Sequence, residues 1–169
     1  RVGVLIIGTG FAGLAMAAKL REAGEDDFLL LEQADAIGGT WRDNHYPGCA
    51  CDIPAHLYSF SFEPNPDWSR SFSPQPEIHA YLRRVALESG VLDRVAFDTT
   101  LEEARYDEQA QHWRMRHYQV VARVIGDKVV GKQGTPVELL GRLVIGKTGA
   151  GIHAEHPVDG HGRSPPTST

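Results

Sequence analysis

Gly8, Gly10 and Gly13 stand in the order Gly-x-Gly-x-x-Gly, and Glu32 follows nineteen residues after the last of them. Glycines at this spacing let a backbone turn tightly and lie against a pyrophosphate. A carboxylate about twenty residues on can accept hydrogen bonds from a ribose, and it repels a 2′-phosphate. The chemistry these residues predict is therefore dinucleotide binding, with FAD or NAD preferred over NADP at this site. The same glutamate read in isolation is a solvated turn residue, and the three glycines alone are a weak signal. The flanking elements raise it.

Those elements are a strand from Arg1 to Ile7, apolar almost throughout, and a helix from about Phe11 to Ala23 that stops at Gly24. Small residues at Gly13 and Ala17 let one helix face lie close to the strand. A second strand, Phe28 to Glu32, ends on the acid. From Ala34 to Pro76 periodicity disappears, while Pro47, Pro54, Pro64, Pro66 and Pro74 alternate with Trp41, Tyr46, Tyr58, Phe60, Phe62, Trp68 and Phe72. Disordered segments are poor in aromatics, so this predicts a long ordered loop packed on something flat and apolar. A helix from Pro76 carries Ile78, Tyr81, Leu82 and Val85 on one face and stops at Gly90. A short strand follows at Val95 to Phe97. Alternation then predicts antiparallel strands at Trp113 to Val121, Arg123 to Val130 and Val137 to Ile145, with turns at Gly126-Asp127 and Gln133-Gly134. The expected fold class is α/β: a Rossmann-like domain with a parallel sheet plus an antiparallel β-meander. Its boundaries are residues 1–149, with 150–169 as a low-order tail rich in Gly, Pro, His, Ser and Thr.

At 169 residues with a net charge of −5, the chain gives no electrostatic reason to expect nucleic acid or an anionic membrane as partner. No apolar run is long enough to cross a bilayer, and a cytoplasmic location is the default expectation. Cys49 and Cys51, one residue apart, read as reduced thiols. His153, His156 and His161 lack Cys or acidic partners at ligand spacing, so no metal is expected.

Several stretches carry a resemblance. Glu32-Gln33-Ala34-Asp35-Ala36-Ile37-Gly38-Gly39-Thr40-Trp41, Tyr46-Pro47-Gly48-Cys49-Ala50-Cys51-Asp52 and Gln75-Pro76-Glu77-Ile78 come in order, followed by Phe97-Asp98-Thr99-Thr100 and Arg105-Tyr106-Asp107-Glu108. Together they resemble the class B flavoprotein monooxygenases, and most closely their Baeyer–Villiger branch, over roughly residues 2 to 149. The resemblance implies FAD held by Gly8, Gly10, Phe11, Ala12, Gly13, Glu32, Gln33, Gly39, Thr40, Trp41, Asp52, Ile53, Tyr58, Leu101, Thr148 and Gly149. Trp41 would offer a flat face to the isoalloxazine, and Asp52 would be the catalytic carboxylate nearest the oxygen chemistry. Taken singly, Trp41 and Tyr58 read as core aromatics and Asp52 as a turn former. The implied reaction uses NADPH and O2 to oxygenate a ketone or a soft heteroatom, as in a sulfide or amine, through a peroxyflavin.

The chain departs from the family pattern after Ile145-Gly146. The family's Ala-Thr-Gly turn is Lys147-Thr148-Gly149 here. No second strand–Gly-x-Gly-x-x-Gly–helix pattern follows to bind NADPH. The expectation is a truncated frame, inactive alone. Competing readings are an NAD-dependent oxidoreductase domain or a non-catalytic remnant.

Overall fold

The first strand, β1 (Val4–Ile7), sends alternate side chains to opposite faces, and both faces are covered. Ile6 joins one apolar cluster, with Leu14, Ala17, Phe28, Leu30, Ile78 and Leu82. Leu5 and Ile7 join another, with Val2, Leu31, Leu101, Ala104 and Met115. A strand buried on both sides has no polar face, which is why Val-Leu-Ile-Ile runs without alternation. This computed structural model describes residues 1–119, 121–125, 128–133, 136–145 and 154–155, with side chains through residue 117.

Helix α1 (Phe11–Glu22) follows β1, and β2 (Phe28–Leu31) then pairs parallel to β1 with Val4 opposite Phe28. Helix α2 (Thr40–Asp43), a 3₁₀ turn (Ala55–Leu57) and helix α3 (Gln75–Glu88) come next. Strand β3 (Val95–Ala96) extends the parallel sheet beside β2. Strands β4 (Thr99–Asp107) and β5 (His112–Gln119) form an antiparallel hairpin. Its turn is held by Asp107, whose Oδ1 accepts from the amides of Gln109 and Ala110.

Strands β6 (Val121–Ile125) and β7 (Lys128–Gln133) pair only with each other. Strand β8 (Pro136–Ile145) then returns and serves two partners. Pro136 to Gly141 run antiparallel to β5, and Arg142 to Ile145 run parallel to β1. The result is one sheet in the order β3-β2-β1-β8-β5-β4, with the short β9 (Ala154–Glu155) beside β4. Helices α1 and α3 supply one cluster, and β4 and β5 supply the cluster on the other face.

The α/β class with a parallel sheet and antiparallel strands matches the sequence expectation, with three differences. The expected three-stranded meander is a β5-β8 ladder from which β6 and β7 depart as a separate ribbon. The expected turn residues Gly126, Asp127 and Gly134 lie outside the described residues. Strand β4 has no counterpart among the expected strands. Its register shifts between Leu101 and Glu103, so Thr99 and Leu101 are buried two apart but the next buried residue is Ala104, three further on, and period-two alternation fails. Beta-9 lies in the stretch read as tail; the rest of 150–169 lies outside the described residues. Among the described residues no helix is long and apolar enough to cross a membrane.

The aromatic loop is ordered, and the surface it packs on is the chain's own. Ile37, Trp41, Cys49, Cys51, Ala55 and Phe60 are buried in the cluster with α1 and α3. Cys49 and Cys51 are free thiols. Phe60 stacks parallel on Phe62 at 5.0 Å, and Trp68 tilts against Tyr81 at 5.4 Å. The Tyr81 hydroxyl ties the loop to α3, accepting from the Phe60 amide and donating to the Glu63 carbonyl, both at 2.7 Å.

Candidate nucleotide site

Two glycine turns meet at the carboxyl end of the parallel sheet. The first, Gly8 to Gly13, leaves β1 with Gly8 at φ 88° and enters α1. A Cβ on Gly13 would lie 1.9 Å from the Gly8 carbonyl oxygen, so glycine is required there by the contact of helix with turn. Gly10 differs. Its φ of −78° suits any residue, and a Cβ there would meet only the Gly39 Cα, at 3.8 Å. Nothing inside the described structure demands a glycine at position 10. Its bare backbone leaves room at the start of α1, a helix with no side-chain cap and no acid in its first turn. The leading amides of such a helix have no intrahelical acceptor and carry the positive end of the dipole.

The second turn is Gly38-Gly39, at φ 129° and 52°. Gly38 donates to the Thr9 carbonyl at 3.0 Å, joining the two turns. A Cβ on Gly39 would sit 3.0 Å from the Gly10 Cα. Helix α3 holds this second turn from behind: Gln75 donates its side-chain amide to the Trp41 carbonyl, and the His79 Nε2 lies 3.0 Å from the Ile37 carbonyl. A Cβ on Gly38 would be 2.7 Å from the His79 ring. Glu77 anchors the start of α3, accepting from the Ser73 hydroxyl and from the Ser69 amide and hydroxyl. The Ser73 hydrogen bond leads in holding its carboxyl below the usual range.

Glu32 lies between the turns and is 3% exposed. Its Oε2 accepts from the Thr9 amide at 3.0 Å and the Thr9 hydroxyl at 2.5 Å. Its Oε1 accepts from the Ala34 amide at 3.0 Å and pairs with the Arg42 Nη1 at 2.8 Å. Arg42 also donates to the Ala36 carbonyl at 2.6 Å and forks onto Asp43 at 2.8 and 3.2 Å. Burial works against its charge, but Asp43 and Glu32 outweigh it, and the guanidinium is held more firmly charged than usual.

The structure therefore brings together Gly8, Gly10, Phe11, Ala12, Gly13, Glu32, Gln33, Gly39, Thr40 and Trp41. Trp41 is 8% exposed; its Nε1 donates to the Tyr58 hydroxyl at 3.1 Å and its ring meets Tyr58 edge-on. In this structure the indole buttresses Tyr58, which also touches Phe11 edge-on at 5.1 Å. Burial, followed by the nearby Cys51 and Asp52, pushes the Tyr58 hydroxyl pKa up. Asp52 and Ile53 are exposed on the adjoining loop. Leu101 belongs to the apolar cluster that contains Ile7 and Leu31. Thr148 and Gly149, with Lys147, lie outside the described residues.

Sequence reasoning passed over Thr9, Arg42, Gln75 and His79 as contributors. Gln75 carried a signal, since it opens the Gln-Pro-Glu stretch. Thr9 and Arg42 act through a glutamate distant in sequence and offered none.

Comparison with known proteins agrees with this fold. Residues 6–74 match the NAD(P)-binding Rossmann-like domain family. A Baeyer–Villiger monooxygenase of Streptomyces coelicolor is 47% identical over 133 residues, covering 79% of this chain and 25% of the relative. Among solved structures, an oxidized steroid monooxygenase bound to NADP superposes with a TM-score of 0.70 at 33% identity, covering 84% of this chain and 25% of that one. OTEMO in complex with FAD and NADP gives 0.64 at 31% identity, covering 69% of this chain and 23% of that one. The chain thus spans about a quarter of the length of the relatives it matches. In sequence and in fold, the chain is thus similar to the N-terminal, Rossmann-like part of Baeyer–Villiger monooxygenases.

Proposed function

We propose that residues 1–149 form the FAD-binding unit of an NADPH- and O2-dependent monooxygenase that oxygenates a ketone or a soft heteroatom. The observation that carries this reading is Gly10: a glycine that neither backbone conformation nor packing requires, at the uncapped start of a helix, is explained by a group that must approach closely from outside. A pyrophosphate is such a group. Glu32 at the end of β2 suits the ribose of the same dinucleotide.

When bound, FAD supplies the redox and oxygen chemistry that amino-acid side chains lack. The chain's own residues would bind and orient it. Gly8 to Gly13 take the pyrophosphate on backbone amides, Glu32 takes the ribose, and Gly39 to Trp41 close over the first turn. Tyr58, fixed by Trp41 and Phe11, walls the site on the loop side. Asp52, exposed and close enough to influence Tyr58, is the carboxylate we assign to the reacting side. Gln33, Ile53, Leu101, Thr148 and Gly149 complete the proposed FAD-binding set. NADPH, the organic substrate and the cytoplasmic location belong to the same proposal for the longer proteins.

The test is a titration of the purified chain with FAD, followed in the visible spectrum and by flavin fluorescence. Saturable binding with perturbed flavin bands is expected, while NAD should bind at least tenfold more weakly. NADPH added anaerobically should not bleach the bound flavin, because two cofactors must be positioned together for that transfer. A chain that cannot be reconstituted with FAD would overturn the proposal; preference for NAD would favour an NAD-dependent oxidoreductase.

A further inference from the structure

An ionised carboxylate offers about four lone-pair positions, and Glu32 is met by three hydrogen-bond donors and one ion-paired guanidinium, two groups on each oxygen. A ribose hydroxyl that donates to Glu32 must therefore displace one of them. Two are backbone amides in pinned segments: Thr9 also accepts from the Gly38 amide through its carbonyl, and the Ala34 carbonyl accepts from the Asp98 amide. The third, Arg42, is held at the same time by Ala36 and by both oxygens of Asp43. The fourth is the Thr9 hydroxyl, which can leave by rotation about a single side-chain bond.

Resting on the FAD reading above, we propose that the Thr9 hydroxyl is an internal stand-in for the ribose: it satisfies Glu32 in the free chain and is displaced from Oε2 when the nucleotide binds. Thr9 is fully buried and Glu32 is 3% exposed, so without the hydroxyl the carboxylate loses a hydrogen bond in a setting largely closed to solvent. The hydroxyl thereby stabilises the free chain and weakens its hold on the nucleotide, making Thr9 a determinant of affinity.

The sign of this effect separates it from a merely structural role. Thr9→Val keeps the shape and removes the donor. It should lower the melting temperature of the nucleotide-free chain by a few degrees and tighten FAD binding by about fivefold. Thr9→Ser, which keeps the hydroxyl, should restore both values. Measurements are thermal melting without nucleotide and fluorescence titration with FAD, on the full chain and on Arg42→Met in parallel. Weaker or unchanged FAD binding in Thr9→Val, or an unchanged melting temperature, overturns the inference while leaving FAD binding intact. Tightening in Arg42→Met but not in Thr9→Val assigns the displaced donor to the guanidinium and also overturns it. If the unsubstituted chain binds no FAD, the functional reading itself fails, and this inference falls with it.

Discussion

The two glycine turns lie against each other and are built in opposite ways. The first is set locally: β1 and α1 flank it directly, and Gly13 is forced by a carbonyl only five residues away. The second is set from a distance: Gly38-Gly39 is shaped by Gln75 and His79 on α3 and followed by Arg42 clamped on Glu32. One turn is a property of a short stretch of sequence. The other exists only in the folded chain, so damage to α3 should reach the candidate nucleotide site through it.

The largest expected effect tests the first turn. Gly13→Ala places a methyl carbon 1.9 Å from a backbone oxygen, and the cost should exceed about 4 kcal/mol, so chemical denaturation should find little or no cooperative fold. Gly39→Ala comes next: a positive φ and a 3.0 Å approach to Gly10 should cost about 2 kcal/mol and weaken FAD binding together. If it left both unchanged, the second turn would not be under the constraint described. Gln75→Leu strips the donor from the Trp41 carbonyl in a buried setting, and about 1–3 kcal/mol should be lost in denaturant melts, with a parallel loss of FAD affinity. An intact affinity would show that α3 does not shape the site.

Gly10→Ser should divide stability from binding. Serine is a good helix N-cap, so melting should hold or rise slightly, while FAD affinity should fall at least tenfold as the side chain fills the approach. The smallest effect is at Glu77. Its folded-state pKa is depressed, so the stability it contributes is present above the ordinary glutamate pKa and is lost as pH falls through the lower folded value. Glu77→Gln should therefore destabilise by about 0.5–1 kcal/mol at neutral pH, and the difference should vanish in acid below the folded pKa.

This division also accounts for what the sequence made legible. The strand, the glycine turn, α1 and the acid at the end of β2 follow from local pattern, because each is determined by near neighbours. Helix α3 follows from its apolar face and its start at Gln75-Pro76. Strand β4 escaped because its irregular register breaks the alternation by which a half-buried strand is recognised. The Glu32–Arg42 pair escaped because an ion pair has no periodicity. Trp41 shows the same limit: its type suggested a flat surface for a ring, whereas its neighbours Tyr58 and Gln75, brought near by folding, give it a buried and buttressing place.

Strand β8 has a consequence for the order of events during synthesis. The strand that leads into the glycine loop has as its neighbour on one side a strand made more than a hundred residues later, since Val4 pairs with Arg142. Until that strand arrives, β1 has an open edge and the loop at its end stands on half a foundation. Long-range pairing of this kind is slow and leaves an exposed edge in the meantime. Strand β1 is thus made long before it is secured, and nascent chains that stop short of Arg142 should be caught by chaperones or aggregate before the two glycine turns can meet.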